Sequence, residues 1–260
     1  MRSILVYADR SPAMPARLET ALALAKANEG HITLLVDTPI GRYISMDPMG
    51  GSYVASDAMK QALADDDSQA ARLRQRLREE GLPYDVIRSE EEPVEALAVA
   101  SRLADIVILS RGSAIAGEVV LATRTPVLVL ANDKSLPVPV TNACVAWDGG
   151  NEAAAALRGA IPLLARCASV NVLTVEEKSG GFPAADAVRY LARHSIKAEP
   201  HQLARKGSTE ETLAAATLRL GGELLIMGAY GRSRMSEFLF GGVTRYFLRD
   251  CPRPALLMAH

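Results

Sequence analysis

The feature that most constrains this chain is that it is written twice. Residues 3–9 read Ser-Ile-Leu-Val-Tyr-Ala-Asp, and residues 142–148 read Asn-Ala-Cys-Val-Ala-Trp-Asp. Each is a short apolar run closed by an aspartate, Asp9 or Asp148. Asp105-Ile106-Val107-Ile108-Leu109 has its counterpart in Glu223-Leu224-Leu225-Ile226-Met227, and each half closes on a proline-led apolar run, residues 126–130 and 254–258. Apolar runs this short, bounded by turn residues, are buried strands, and helical patterns separate them. Leu157, Ala160, Ile161 and Leu164 share one helix face. Ser208 and Glu211 form a capping box ahead of Leu213, Ala216, Thr217 and Leu220, and Gly221-Gly222 ends that helix. Residues 93–103 repeat the same helix in the first half, with Pro93 in its first turn. Strands alternating with helices predict a parallel sheet of βα units in each half.

The expected fold class is therefore α/β, two tandem copies of a mostly parallel, Rossmann-like sheet flanked by helices. The copies span 1–131 and 140–260, and the linker carries two prolines, Pro137 and Pro139, that suit an exposed connection.

The copies differ in two places. From Asp9 to Asp105 is 96 positions, against 75 from Asp148 to Glu223, a surplus of 21 that fits residues 38–58. This segment holds Tyr43, Met46, Met49 and Tyr53, too apolar for a spacer, and is expected to pack against the protein or a second chain. A long polar helix over 59–80 follows it. Conversely, Ser110 to Pro126 is 16 positions, against 26 from Gly228 to Pro254, so the first copy lacks ten residues where the second has a glycine loop.

That loop is the strongest functional signal. Met227-Gly228-Ala229-Tyr230-Gly231 follows an apolar strand, and Gly241-Gly242-Val243-Thr244 precedes a short helix expected over 245–248. Glycines at a strand-to-helix turn let backbone N–H groups approach a ligand, and the helix start suits phosphate. The pattern is neither a P-loop nor a dinucleotide fingerprint. Gly-x-x-Gly, nine residues, then Gly and a small residue resembles the nucleotide loop of the universal stress protein family, whose fold is adenine nucleotide alpha hydrolase-like with five strands per copy. Gly228, Gly231 and Gly241 match the family pattern. Gly242 departs from it, because nucleotide-binding members carry Ser or Thr there.

The resemblance implies a cytoplasmic stress-response regulator that binds ATP, AMP or ADP, with Mg as a companion, in its C-terminal copy. It implies a site of Asp148, Thr174, Val175, Met227, Gly228, Gly231, Arg232, Gly241, Gly242, Val243 and Thr244. It also implies an internal pseudo-dimer in which the two closing strands meet, and a homodimer as a further assembly. Two other readings stand beside it: a ligand-free interaction module of the same fold, and a slow ATP hydrolase. No His, Cys, Ser or carboxylate is placed to serve as catalytic machinery or as a metal centre. A net charge of −1 gives no case for nucleic acid or an anionic membrane, and no apolar run reaches spanning length. The three cysteines, Cys144, Cys167 and Cys251, read as buried free thiols.

Overall fold

The apolar runs form strands and the helical patterns form helices, alternating along each half apart from a hairpin inserted in the first. The computed structural model describes residues 1–46, 52–131, 134–175, 183–231, 242–251 and 253–260. The N-terminal half runs β1 (Ser3–Tyr7), α1 (Met14–Asn28), β2 (His31–Asp37), a hairpin of β3 (Ile44–Met46) and β4 (Ser52–Val54), α2 (Ser56–Glu79), β5 (Tyr84–Ser89), α3 (Pro93–Ala100), β6 (Ile106–Ser110), α4 (Ala116–Ala122) and β7 (Val127–Leu130). The C-terminal half runs β8 (Asn142–Ala146), α5 (Asn151–Leu164), β9 (Ser169–Val175), α6 (Ala184–Arg193), β10 (Glu199–Leu203), α7 (Thr209–Arg219), β11 (Leu224–Gly228), α8 (Gly242–Arg245) and β12 (Ala255–Ala259).

Ten strands form one sheet in the order β10-β9-β8-β11-β12-β7-β6-β1-β2-β5. Read outward from its middle, the sheet has the same topology on both sides. All neighbours are parallel except the central pair, β12 and β7, where Leu256 faces Val129, Leu257 faces Leu128 and Met258 faces Val127. Both strands are fully buried, as two apolar edges demand, since exposed they would template aggregation. Alternate residues of every central strand point to opposite faces. One face packs α1, α2, α5 and α6, and the other packs α3, α4, α7 and α8, so each core layer runs unbroken across the seam.

Local chemistry explains the element ends. Ser208 and Glu211 exchange side-chain and backbone hydrogen bonds as the capping box predicts. Past α7, Gly221 takes φ 64°, and the Gly222 N–H returns to the Thr217 carbonyl at 2.8 Å. Pro162 lies inside α5, which continues through it to Leu164.

Four expectations change. The helix expected at 245–248 begins at Gly242 and continues to Asp250, its last five residues in a wider π turn that Cys251 closes onto the Tyr246 carbonyl at 3.0 Å. The surplus of the first half is not confined to 38–58. It is shared between a 3₁₀ turn (Ile40–Tyr43), the β3–β4 hairpin and a helix of 24 residues where the second half has 10. Residues 47–51, Met49 among them, lie outside the described residues. The linker is only partly exposed, because Leu136 and Val140 are buried in the core and the Leu136 N–H donates to Thr20 Oγ1 at 3.0 Å. Only Cys144 is buried; Cys167 and Cys251 are half-buried, and all three are free thiols. No helix among the described residues is long and apolar enough to cross a membrane.

Candidate functional site

In the C-terminal half the chain lays down β8, β9 and β10 in one direction, with α5 and α6 on one face. It then returns to the other side of β8 with β11 and β12 and puts α7 and α8 on the opposite face. This reversal makes a crevice at the carboxyl ends of β8 and β11, where open α/β sheets take their ligands. Asp148 lies exposed two residues past β8, and its Oδ1 accepts the Gly150 N–H at 2.8 Å, turning the chain into α5. Gly228 ends β11 across the crevice.

The glycines have different neighbours. A Cβ on Gly228 would stand 2.5 Å from the Ala153 nitrogen and 2.9 Å from Glu152 Cβ, so its bareness lets β11 abut the first turn of α5. Among the described residues, a Cβ on Gly231 would meet the end of the Glu152 side chain, 2.9 Å from Oε2. At Gly242 an added Cβ would have Glu210 Oε1, at 3.7 Å, as its nearest neighbour among the described residues. Two carboxylates thus stand by the described glycines, Glu152 by Gly228 and Gly231 and Glu210 by Gly242; the sequence reading missed both. Glu152 occupies the first turn of α5, a position that a search for glycines and hydroxyls passes over.

The other expected residues divide. Thr174 and Val175 end β9 beside β8, and the Thr174 hydroxyl is buried with no hydrogen-bond partner among the described residues. Thr244 is 3% exposed, and its Oγ1 accepts the Tyr230 N–H at 3.3 Å, so this hydroxyl ties the start of α8 to the loop. Val243 packs against the core of that face. Met227 is 3% exposed within the same core, so its side chain lies in the packing and not on the crevice surface. Arg232 and Gly241 lie outside the described residues. Among the described residues no three of His, Cys, Asp and Glu gather as a metal centre.

The matching crevice of the N-terminal half is filled by its own chain. Asp9, the counterpart of Asp148, is ion-paired to Arg17 of α1, whose side chain is completely buried, and it also accepts the Ser11 hydroxyl at 2.6 Å. Gln69 of α2 donates to the Ala8 and Asp9 carbonyls at 2.9 and 2.5 Å. Arg10 pairs with Asp65 at 2.9 Å and Asp66 at 3.3 Å, and Asp66 accepts the Thr38 hydroxyl at 2.5 Å. The long α2 therefore lies over the carboxyl ends of β1 and β2. Where the glycine loop is missing, Arg111 follows β6 and donates to the Pro254 carbonyl of the other half. Burial lowers its pKa, and its Nε and Nη1 have no partner among the described residues.

A cleft of about 750 Å³ lies at the opposite rim, by the amino ends of β1, β6 and β7, lined by Arg102, Arg124 and Arg158 with Asp105. It is remote from every residue expected in the site.

The sequence model of the universal stress protein family matches residues 140–258. A universal stress protein from Archaeoglobus fulgidus DSM 4304 superposes with a TM-score of 0.70 and 17% identity, over 98% of this chain and 97% of that one. A putative universal stress protein from Pseudomonas aeruginosa UCBPP-PA14 does so with a TM-score of 0.64 and 16% identity, over 100% and 93%. At these identities the likeness is one of fold. No curated protein matches the sequence.

Proposed function

Because residues 140–258 form a universal stress protein domain, we propose that this chain is a cytoplasmic stress-response regulator that binds ATP or a related adenine nucleotide in its C-terminal copy. The two copies, 1–131 and 140–260, act as an internal pseudo-dimer joined at β7 and β12. The observation that carries this reading is the contrast between the two switch-point crevices. One presents Asp148, the unpartnered Thr174 hydroxyl and the glycine turn, whereas Arg17, Gln69 and α2 fill the other. Backbone N–H groups in the turn and at the start of α5 would take the phosphates, and the ends of β8 and β9 would take the nucleoside.

Glu152 and Glu210 set the electrostatics of this site. A carboxylate beside Gly231 repels a bare triphosphate, and Mg²⁺, which binds through one or two carboxylates together with substrate phosphates, relieves that repulsion. Calorimetry of the full chain with ATP tests the reading. The expected result is binding that strengthens with Mg²⁺, and a Glu152→Gln protein that binds ATP several-fold more tightly without Mg²⁺. An unchanged affinity in that variant removes Glu152 from the site.

A second reading, a ligand-free interaction module, is favoured by one observation: Gly228 has a packing reason to be glycine whether or not a ligand exists. Nucleotide analysis of protein purified without added ligand separates the two. Retained nucleotide supports the first, and no binding at millimolar concentration supports the second.

A further inference from the structure

Among the described residues, Tyr230 carries the glycine turn of the C-terminal half to the N-terminal half. Tyr230, between Ala229 and Gly231, takes φ 60°, a left-handed conformation that side chains rarely adopt and that costs energy wherever it is held. Its ring reaches α4 of the other half. A Cβ on Gly117 would stand 2.6 Å from the Tyr230 hydroxyl and 3.5 Å from Leu248 Cδ1. The bare Cα of Gly117 is thus the seat of the ring. The rest of the residue is held as well. The ring packs edge to face on His260, with centroids 6.4 Å apart. His260 Nδ1 donates to the Ala229 carbonyl at 2.9 Å, and the Tyr230 N–H donates to Thr244 at 3.3 Å.

Resting on the nucleotide reading above, we propose that Tyr230 is a positioning residue for the phosphate-binding turn, and that Gly117, in the half that has no such turn, sets its geometry. The physical chain is short. The Tyr230 backbone lies between the donors of the turn, and its strained φ persists only because the ring, the N–H and the neighbouring carbonyl are all anchored. A methyl group on Gly117 displaces the hydroxyl, the ring carries the backbone with it, and the amides that face phosphate leave their places. Coupling between sites is reciprocal, so nucleotide in the C-terminal copy presses back on α4. Gly117, in the copy without a glycine loop, thus serves the loop of the other copy.

The test uses the full chain in four forms: parent, Gly117→Ala, Tyr230→Phe and the double variant. ATP affinity is measured by calorimetry and by the fluorescence of the sole tryptophan, Trp147, which adjoins Asp148. The expected result is a loss of at least about fivefold in Gly117→Ala, the scale of ordinary coupling, at a urea midpoint close to the parent's. Tyr230→Phe removes the clashing hydroxyl, so the double variant binds within about twofold of Tyr230→Phe alone. Parental affinity in Gly117→Ala, or effects that simply add, overturns the proposal while leaving the nucleotide reading intact. A parent that binds none of ATP, ADP or AMP overturns both. If Gly117→Ala lowers the urea midpoint, Tyr230→Gly decides: glycine takes the left-handed φ without strain, so the fold is spared, but the ring that holds the turn in place is gone. A fivefold loss there supports the seat, and unchanged affinity overturns it.

Discussion

A Cβ on Gly228 would press on the backbone of α5, which cannot give way, whereas one on Gly231 would press on the flexible end of Glu152, which can. Alanine should separate them. Gly228→Ala is expected to cost about 1–3 kcal/mol, the scale of overpacking, and Gly231→Ala to stay within about 0.5 kcal/mol of the parent. Urea unfolding followed by circular dichroism checks both, and equal costs would contradict the geometry. Asp37 offers a second test at this scale. Burial raises its carboxyl pKa first of all, against a hydrogen bond from Tyr7 and the charge of Arg42, with Asp66 adding to the rise. The protonated acid is therefore the form the fold prefers. Its stabilisation is complete below the ordinary carboxylate pKa and is lost as pH rises through the raised folded value. Asp37→Asn should raise the urea midpoint at pH 7, and the gain should vanish at pH 3. A gain independent of pH would show that the charge is not the cause.

Among elements, the β7–β12 pair decides whether the halves unfold together. Leu128 and Leu257 face each other there, both with no exposed surface. Truncating a buried leucine costs about 2–5 kcal/mol, and at this position the loss falls on both halves at once. Leu128→Ala, in the N-terminal half, should lower the unfolding midpoint seen by Trp147, in the C-terminal half, as much as that seen by circular dichroism. A tryptophan transition that stays put would mean independent halves. The seam was legible in the sequence because two proline-led runs without a polar face must be covered. So were the ends of α7, because Ser208, Glu211 and Gly221 each act within a few residues. Asp148 and Gly228 were legible as the ends of short apolar runs, and the structure puts both at the carboxyl ends of their strands. Three features were not legible. Arg17 and Gln69 fill the first crevice from remote helices, Glu152 comes to the loop only because Gly228 is bare, and Tyr230 meets Gly117 across 113 positions of chain. Periodicity reports which face of an element is buried and says nothing of which distant residue covers it.

For the whole molecule, the asymmetry of the two crevices predicts stoichiometry. Calorimetry should find one nucleotide per chain, and Trp147 fluorescence should saturate at the same ratio. Breaking the plug should not add a second site. Arg17→Met leaves Asp9 without its buried partner, but no glycine turn stands beyond β6 to take phosphate. That variant should therefore lose stability, by less than the about 3–5 kcal/mol of a fully buried pair because Asp9 is partly exposed and keeps its Ser11 hydrogen bonds, and keep a stoichiometry of one. Two sites per chain in either protein would refute the asymmetry.

The strand pairing at the centre of the sheet has one more consequence, and it concerns dilution. Two separate subunits joined by such a pair part company when their concentration falls below the dissociation constant. Here the partner strand arrives on the same polypeptide, tethered through a linker whose Leu136 is already docked on α1, so each strand meets the other at an effective concentration on the order of millimolar or above. Any influence of one half on the other through Tyr230 is then a property of the single chain, as strong at nanomolar as at micromolar protein.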